Sequence, residues 1–258
     1  MRVWLLALAP LLGVLAGCPI PQSQDTPVPQ TYVGARAGLH DGYYLYVPSN
    51  YTPDRAWPLV ITLPGTPGWD SAWAQIREWK ALAQEKGFIV AAPNCRSVQG
   101  ILPVVKTLWF KDLETDDKSL LSVLDEVSKK YTIDSKAVLL TGFSAGGFPM
   151  YNTGLRHPER FNMLIARSCN SSVDLFDKIT EDQEKARRME EVRKTPVVIY
   201  WGKDDPAIQD YCWNAVQYFS NHGYTDFQHR KLAGGHLRRP EIAYKFWQPR
   251  LPHPAPMP

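Results

Sequence analysis

Apolar positions along the chain fall into short runs that alternate with longer amphipathic stretches. Residues 42–47 and 57–63 are rich in aromatic and β-branched side chains, and Pro48, Asn50, Pro53 and Asp54 part them with turn chemistry, so they predict neighbouring strands. Ser71 stands before residues 73–86, where Trp73, Ile76, Trp79, Ala81, Leu82 and Ala83 roughly follow helical spacing, and Gly87 closes that helix. A strand over 88–92 ends at Pro93 and Asn94. After an irregular stretch holding Trp109, residues 116–130 place Leu120, Leu121, Leu124 and Val127 on one helical face, with Asp116 or Asp117 as N-cap. Further on, 137–141, 161–166, 196–201 and 226–232 predict strands, and helices are expected up to about 157, over 209–221 and over 240–247. Residues 171–194 are charged and helical in pattern, an insertion expected to cover a pocket. Near-continuous apolar strands alternating with helices predict an α/β fold, a mostly parallel sheet with helices on both faces.

Functional groups in such sheets gather at the carboxyl ends of the strands. The run Val138-Leu139-Leu140-Thr141 leads into Gly142-Phe143-Ser144-Ala145-Gly146-Gly147, a Gly-x-Ser-x-Gly pattern. Leaving a buried strand and entering a helix, it reads as a nucleophile elbow, with the Ser144 hydroxyl exposed at a strained turn and glycines where a Cβ would clash. A serine hydroxyl is a poor nucleophile at neutral pH, so it needs an imidazole to take its proton and a carboxylate to hold that imidazole. The expected chain order is serine, acid, histidine. His236, in a glycine-flanked loop after the last strand, is the candidate base, set against His222, His229 and His253. For the acid, Trp201-Gly202-Lys203-Asp204-Asp205-Pro206 follows a strand; Asp205 is favoured and Asp204 is its rival. A tetrahedral oxyanion needs preorganised donors. The Ala145 N–H supplies one, and the turn Leu63-Pro64-Gly65-Thr66-Pro67-Gly68 supplies the other through the Thr66 N–H, since Pro67 has none to give.

Composition narrows the reading further. The 258 residues are 44% hydrophobic and 21% charged, which fits one substantial core. A net charge of +3, with basic residues interleaved among acids as in residues 184–191, gives no reason to expect a nucleic-acid partner. There is no His-Glu-x-x-His, Cys-x-x-Cys, P-loop or dinucleotide fingerprint, so neither a metal nor a cofactor is expected.

At the amino end, Arg2 precedes an apolar run from Val3 to Ala16 that has the length of a signal-peptide core rather than of a spanning helix. It ends in Leu15-Ala16-Gly17-Cys18, which resembles the lipobox of bacterial lipoproteins, with cleavage before Cys18 and lipid attachment to it. The expected organisation is a signal peptide over 1–17, a lipidated Cys18 and proline-rich tether over 18–37, a hydrolase domain over 38–248, and a disordered proline-rich tail over 249–258. That makes the membrane a partner through Cys18 and the exported face of the cell envelope the location. Of the remaining cysteines, Cys95 and Cys169 are the pair considered for a disulfide, with Cys212 left over.

Ser144 in its glycine-flanked elbow, the Gly202-x-x-Asp205 spacing and Gly234-Gly235-His236 together resemble the α/β-hydrolase superfamily, and in particular polyhydroxybutyrate depolymerase-like and feruloyl esterase-like serine esterases. His157-Pro158-Glu159-Arg160-Phe161 is similar to the same proteins, whereas Pro64-Gly65 stands where they usually have His-Gly. The resemblance implies a carboxylic-ester hydrolase acting through an acyl-enzyme on small or polymeric esters. Trp69, Trp109, Trp201 and Tyr211 are expected near its pocket, where rings stack aromatic or sugar-bearing groups. A serine peptidase on the same scaffold, and a binding lipoprotein without turnover, are the alternatives.

Overall fold

The computed structural model describes residues 31–33, 42–98 and 106–252. The signal peptide, Cys18, the tether apart from residues 31–33, and the last six residues lie outside the described residues. Eight strands form one sheet: β1 (Thr31–Val33), β2 (Tyr43–Tyr46), β3 (Trp57–Leu63), β4 (Ile89–Pro93), β5 (Ile133–Phe143), β6 (Met163–Arg167), β7 (Val197–Gly202) and β8 (Phe227–Leu232). Their order is β1-β2-β4-β3-β5-β6-β7-β8. β1–β2 and β2–β4 pair antiparallel, and every pair from β4–β3 through β7–β8 is parallel.

The mostly parallel arrangement explains the apolar runs. In the central strands successive side chains point to opposite faces, and both faces are covered. Leu59, Ile61, Val138, Leu140, Leu164 and Ile199 enter one core, while Val60, Leu139, Ile165 and Val198 enter the other. The first is capped by α2 (Lys106–Lys130), α3 (Gly147–Arg156), α4 (Val173–Lys185) and α6 (Pro206–Asn221); the short α5 (Met189–Val192) follows α4. The second is capped by α1 (Ala72–Lys86) and α7 (Pro240–Trp247), where Phe88 stacks on Tyr244 and meets Trp79 and Trp247 edge-on. Trp79 and Trp247 are fully buried, so truncating either to alanine costs about 3–5 kcal/mol. The edge strand β8 is largely exposed.

Several expectations change. α2 starts at Lys106, ten residues before its expected start, so Asp116 lies inside the helix rather than at its cap. Its carboxylate instead accepts the Arg96 and Ser97 N–H groups and the Ser97 hydroxyl, which pins the loop after β4. Thr31–Val33, assigned to the tether, forms a strand paired with β2. Residues 249–252, assigned to the tail, belong to the fold: Arg250 pairs with Asp226 at 2.6 Å and its carbonyl accepts from Asn162. α4 is the cover of the sheet between β6 and β7. Its Leu175, Phe176 and Ile179 are buried, and Phe176 stacks on Tyr218 and meets Tyr151 edge-on.

Cys95 and Cys169 are both free, as is Cys212. Cys95 follows β4 and Cys169 follows β6, and β3 and β5 stand between those strands. At about 4.8 Å per strand the separation is roughly 14 Å, twice what a disulfide spans. Among the described residues no helix is long and apolar enough to cross a membrane.

Candidate active site

β5 ends at Phe143, a 3-10 turn occupies Ser144–Gly146, and α3 follows directly. Ser144 has φ 52°, a left-handed conformation that side chains rarely adopt, so the turn that exposes the hydroxyl is strained. The strain is tolerated because the backbone packs too closely for any other path. A Cβ at Gly146 would lie 2.6 Å from the Pro64 carbonyl oxygen, and one at Gly142 would lie 2.4 Å from that of Gly146. The elbow is therefore wedged against the end of β3, and the Gly65 backbone passes so near that a Cβ there would stand 3.1 Å from Ser144 Cβ.

The loop after β3 is held in a defined shape. The Gly65 N–H donates to Asp70 Oδ2 at 2.7 Å, and the Thr66 carbonyl accepts the Trp69 and Asp70 N–H groups at 3.2 and 3.1 Å. The Thr66 N–H has no hydrogen-bond partner among the described residues. Ala145 lies in the first turn leading into α3, where N–H groups lack intrahelical acceptors. Two backbone donors are thus available beside Ser144.

His236 Nδ1 lies 2.5 Å from Asp205 Oδ2. Asp205 is the residue before α6, and Pro206 opens that helix, yet its carboxylate makes no capping bond to the helix amides. It is turned across to the imidazole instead. With Nδ1–H donated to Asp205, Nε2 is left as the acceptor. Asp204, the rival, receives the Gly234 N–H at 3.2 Å and so braces the base of the histidine loop. That loop lies directly over the end of β7, because Gly202 has no side chain: a Cβ there would come within 1.8 Å of the Gly235 carbonyl oxygen. Behind His236, the Leu237 N–H donates to the buried Ser168 hydroxyl at 3.1 Å, and the Tyr200 hydroxyl donates toward the Arg238 and Arg239 carbonyls.

Thr66, Ser144, Asp205 and His236 line one open cavity of about 430 Å³, with Asn170, Ala207, Ile208 and Tyr211 completing the wall. The four loops come from β3, β5, β7 and β8, all at their carboxyl ends. No hydrogen bond joins Ser144 Oγ to the His236 ring among the described residues; contacts of this kind commonly close only when substrate is bound. Of the aromatic residues expected here, Tyr211 lines the cavity. Trp201 is buried and stacks on His229, Trp109 packs on Phe110 and Phe148 while donating to the Ser97 carbonyl, and Trp69 is exposed on its loop. No residue of α4 or α5 lines the cavity, so the expected pocket cover is not there.

Sequence reasoning missed Asp70, Asn170, Ile208 and Arg238. An acid one residue before a helix N-cap carries no signal that it will fold back under a loop. The same holds for an asparagine after a strand.

Sheet order, elbow and converging loops define an α/β-hydrolase fold. A family model described as "Putative esterase" matches residues 41–252, and the chain belongs to this Esterase family. A CE1 ferulic acid esterase from Anaeromyces mucronatus, in complex with ferulic acid, superimposes with a TM-score of 0.62 at 12% identity, over 89% of this chain and 90% of that one. The bifunctional acetylxylan esterase/xylanase XynS20E of Neocallimastix patriciarum is 31% identical over 119 residues, 46% of this chain and 16% of that protein. Dipeptidyl-peptidase 5 of Porphyromonas gingivalis is 25% identical over 150 residues, 54% of this chain and 21% of that protein. The matches span about a fifth or less of the curated relatives' own length.

Proposed function

We propose that the chain hydrolyses carboxylic esters through an acyl-enzyme formed on Ser144. The observation that carries this reading is the imidazole of His236, anchored at Nδ1 by Asp205 at 2.5 Å and sharing one cavity with the strained Ser144 and the free Thr66 amide. Ser144 Oγ attacks the ester carbonyl carbon while its proton passes to His236 Nε2. The oxyanion is stabilised by the Thr66 and Ala145 N–H groups, each worth about 3 kcal/mol in the transition state. The imidazolium, its charge balanced by Asp205, then gives the proton to the departing alkoxide. Water repeats the sequence on the acyl-enzyme: it loses a proton to Nε2, attacks the acyl carbon, and Ser144 Oγ leaves reprotonated with release of the acid.

The open cavity with Tyr211 and Ile208 on its wall supports an ester whose acyl or alcohol part is aromatic or sugar-bearing; family membership supports an ester, and the feruloyl and acetylxylan esterase relatives support the aromatic or sugar-bearing class. A panel of acetyl, butyryl, feruloyl and hydroxybutyrate esters with the wild type and Ser144→Ala tests it. Burst release of p-nitrophenol from p-nitrophenyl acetate is expected from the wild type and not from the variant; full turnover by Ser144→Ala refutes the mechanism, and an inert wild type leaves a binding role. Similarity to dipeptidyl-peptidase 5 favours a second reading, a serine peptidase. Faster cleavage of dipeptide amides than of every ester would establish it.

The same proposal places this domain in the bacterial cell envelope, with residues 1–17 removed and Cys18 lipidated at the end of a proline-rich tether. Lipid attachment predicts partition into detergent phase and accumulation of precursor under globomycin. An aqueous, inhibitor-indifferent product refutes the anchor.

A further inference from the structure

The histidine loop and the oxyanion loop leave different strands, β8 and β3, and the triad contains no contact that holds one to the other. The Arg238 side chain supplies that contact, through a buried carboxylate and a backbone carbonyl of the oxyanion loop. Asp70 has a side chain only 1% exposed; its Oδ2 accepts the Gly65 N–H and Gln75 Nε2, each at 2.7 Å, and its Oδ1 accepts Arg238 Nη1 at 2.9 Å. Arg238, two residues past His236, donates through its other terminal nitrogen to the Trp69 carbonyl at 3.2 Å, so it grips the oxyanion loop by side chain and backbone together. Its guanidinium also reaches Glu78 Oε2 at 3.3 Å and lies 4.4 Å from the centre of the Phe143 ring, which itself sits 4.7 Å from the His236 ring. Burial works against the charge on Arg238, but Asp70 and Glu78 outweigh it and hold the guanidinium above its ordinary pKa.

We propose that Arg238 and Asp70 are positioning residues for hydrolysis, a clamp that fixes the Thr66 N–H and the His236 imidazole in one register about Ser144. The inference rests on the reading of Ser144 and His236 as the reacting pair. Its physical basis is that the Gly65 amide, tied to Asp70, sets the orientation of the peptide that leads into Thr66, while Arg238 sets how far the histidine loop stands from that peptide. A charged cluster beneath a surface is weak evidence of stabilisation in itself, because desolvation offsets the attraction. One whose members hold two catalytic loops has a geometric consequence: misplacing a donor by about 1 Å costs roughly 10²-fold in rate.

The test uses the full chain and p-nitrophenyl acetate, with Arg238→Gln, Asp70→Asn, the double variant, Arg238→Lys and Ser144→Ala. Arg238→Gln and Asp70→Asn are each expected to lower kcat by about 10²-fold with KM within about threefold. The double variant should lose clearly less than the product of the two single losses, since both remove the Asp70–Arg238 contact. Arg238→Lys, which keeps one contact to Asp70, should regain about tenfold over Arg238→Gln. A folded Arg238→Gln protein with kcat within threefold of wild type overturns the clamp, as do losses that multiply in the double variant. If Arg238→Gln does not fold, Arg238→Lys decides: a loss of about tenfold from wild type at constant KM supports the clamp, and unchanged kcat overturns it. Turnover by Ser144→Ala removes the underlying reading instead, so the two failures are separable.

Discussion

Asp205 Oδ2 meets His236 Nδ1 at 2.5 Å, while the adjacent Asp204 spends its carboxylate on the Gly234 backbone amide. An acid just before a helix ordinarily bonds the first free amides of that helix. Asp205 does not. Replacing it with asparagine keeps the shape but offers an amide that stabilises the wrong imidazole tautomer, so Asp205→Asn is expected to lower kcat by about 10³–10⁴-fold. Asp204→Asn, which changes a bond at the loop base, should stay within roughly threefold. Steady-state kinetics of the two variants decide, and the opposite order would transfer the role to Asp204.

The contact between Gly146 and the Pro64 carbonyl makes a second expectation. Gly146→Ala forces the end of β3 and the elbow apart, since its Cβ would lie 2.6 Å from one carbonyl oxygen and 2.7 Å from the next. Stability should fall by about 1–3 kcal/mol and kcat by about 10²-fold or more. Gly223→Ala is the control. There φ is 74° with no atom nearer than 3.8 Å, so backbone strain alone should cost about 1 kcal/mol and leave kcat unchanged. Equal losses of activity in both would mean that Gly146 matters only to folding.

Burial pushes the Asp116 carboxyl from 3.8 up to about 6, against the opposing hydrogen bonds from Arg96 and Ser97. Below the unfolded value the group is protonated in both states. Between that value and about 6 the folded protein holds a proton that the unfolded chain has lost, so stability from this site falls as pH rises, and the full penalty is present above about 6. A displacement of this size corresponds to at most about 3 kcal/mol. Denaturant unfolding at pH 4 and pH 7 should therefore show the wild type losing ground to Asp116→Asn across the interval. A wild type that gains on the variant would reverse the assignment.

Cys169 and Cys212 are buried, and burial raises both thiols, Cys169 to about 12. Thiolate is the reactive species, so neither should label with a neutral-pH thiol reagent until the protein unfolds. Mass spectrometry of native and denatured samples checks this. Rapid native labelling of Cys212, whose thiol sits 3.4 Å from the Cys169 carbonyl, would show that α6 opens readily.

Much of this fold is legible in the sequence. Near-continuous apolar runs fixed β3, β4, β6 and β7 as strands buried on both faces, because exposure of either face would have demanded alternation. Ser71 and Gly87 gave the limits of α1 through local capping, and Ser71 Oγ does accept the Ala74 N–H. The start of α2 was missed, since residues 106–115 have no cap signal and their partner surface comes from elsewhere in the chain. The cysteine pairing failed for a related reason: both cysteines follow strands, but only strand order says how far apart those strands lie.

The sequence by itself determined most of the elements, the mostly parallel sheet and the short list of polar residues at its carboxyl edge, because periodicity, caps and glycine spacing act over a few neighbouring positions; β1 and the first turns of α2 are the exceptions. Tertiary structure alone decided which of two adjacent aspartates faces His236, that α4 covers the sheet rather than the cavity, and that Asp70 and Arg238 join two loops 168 positions apart. Each of those outcomes depends on where a side chain points after the strands have paired, and no local pattern carries that direction.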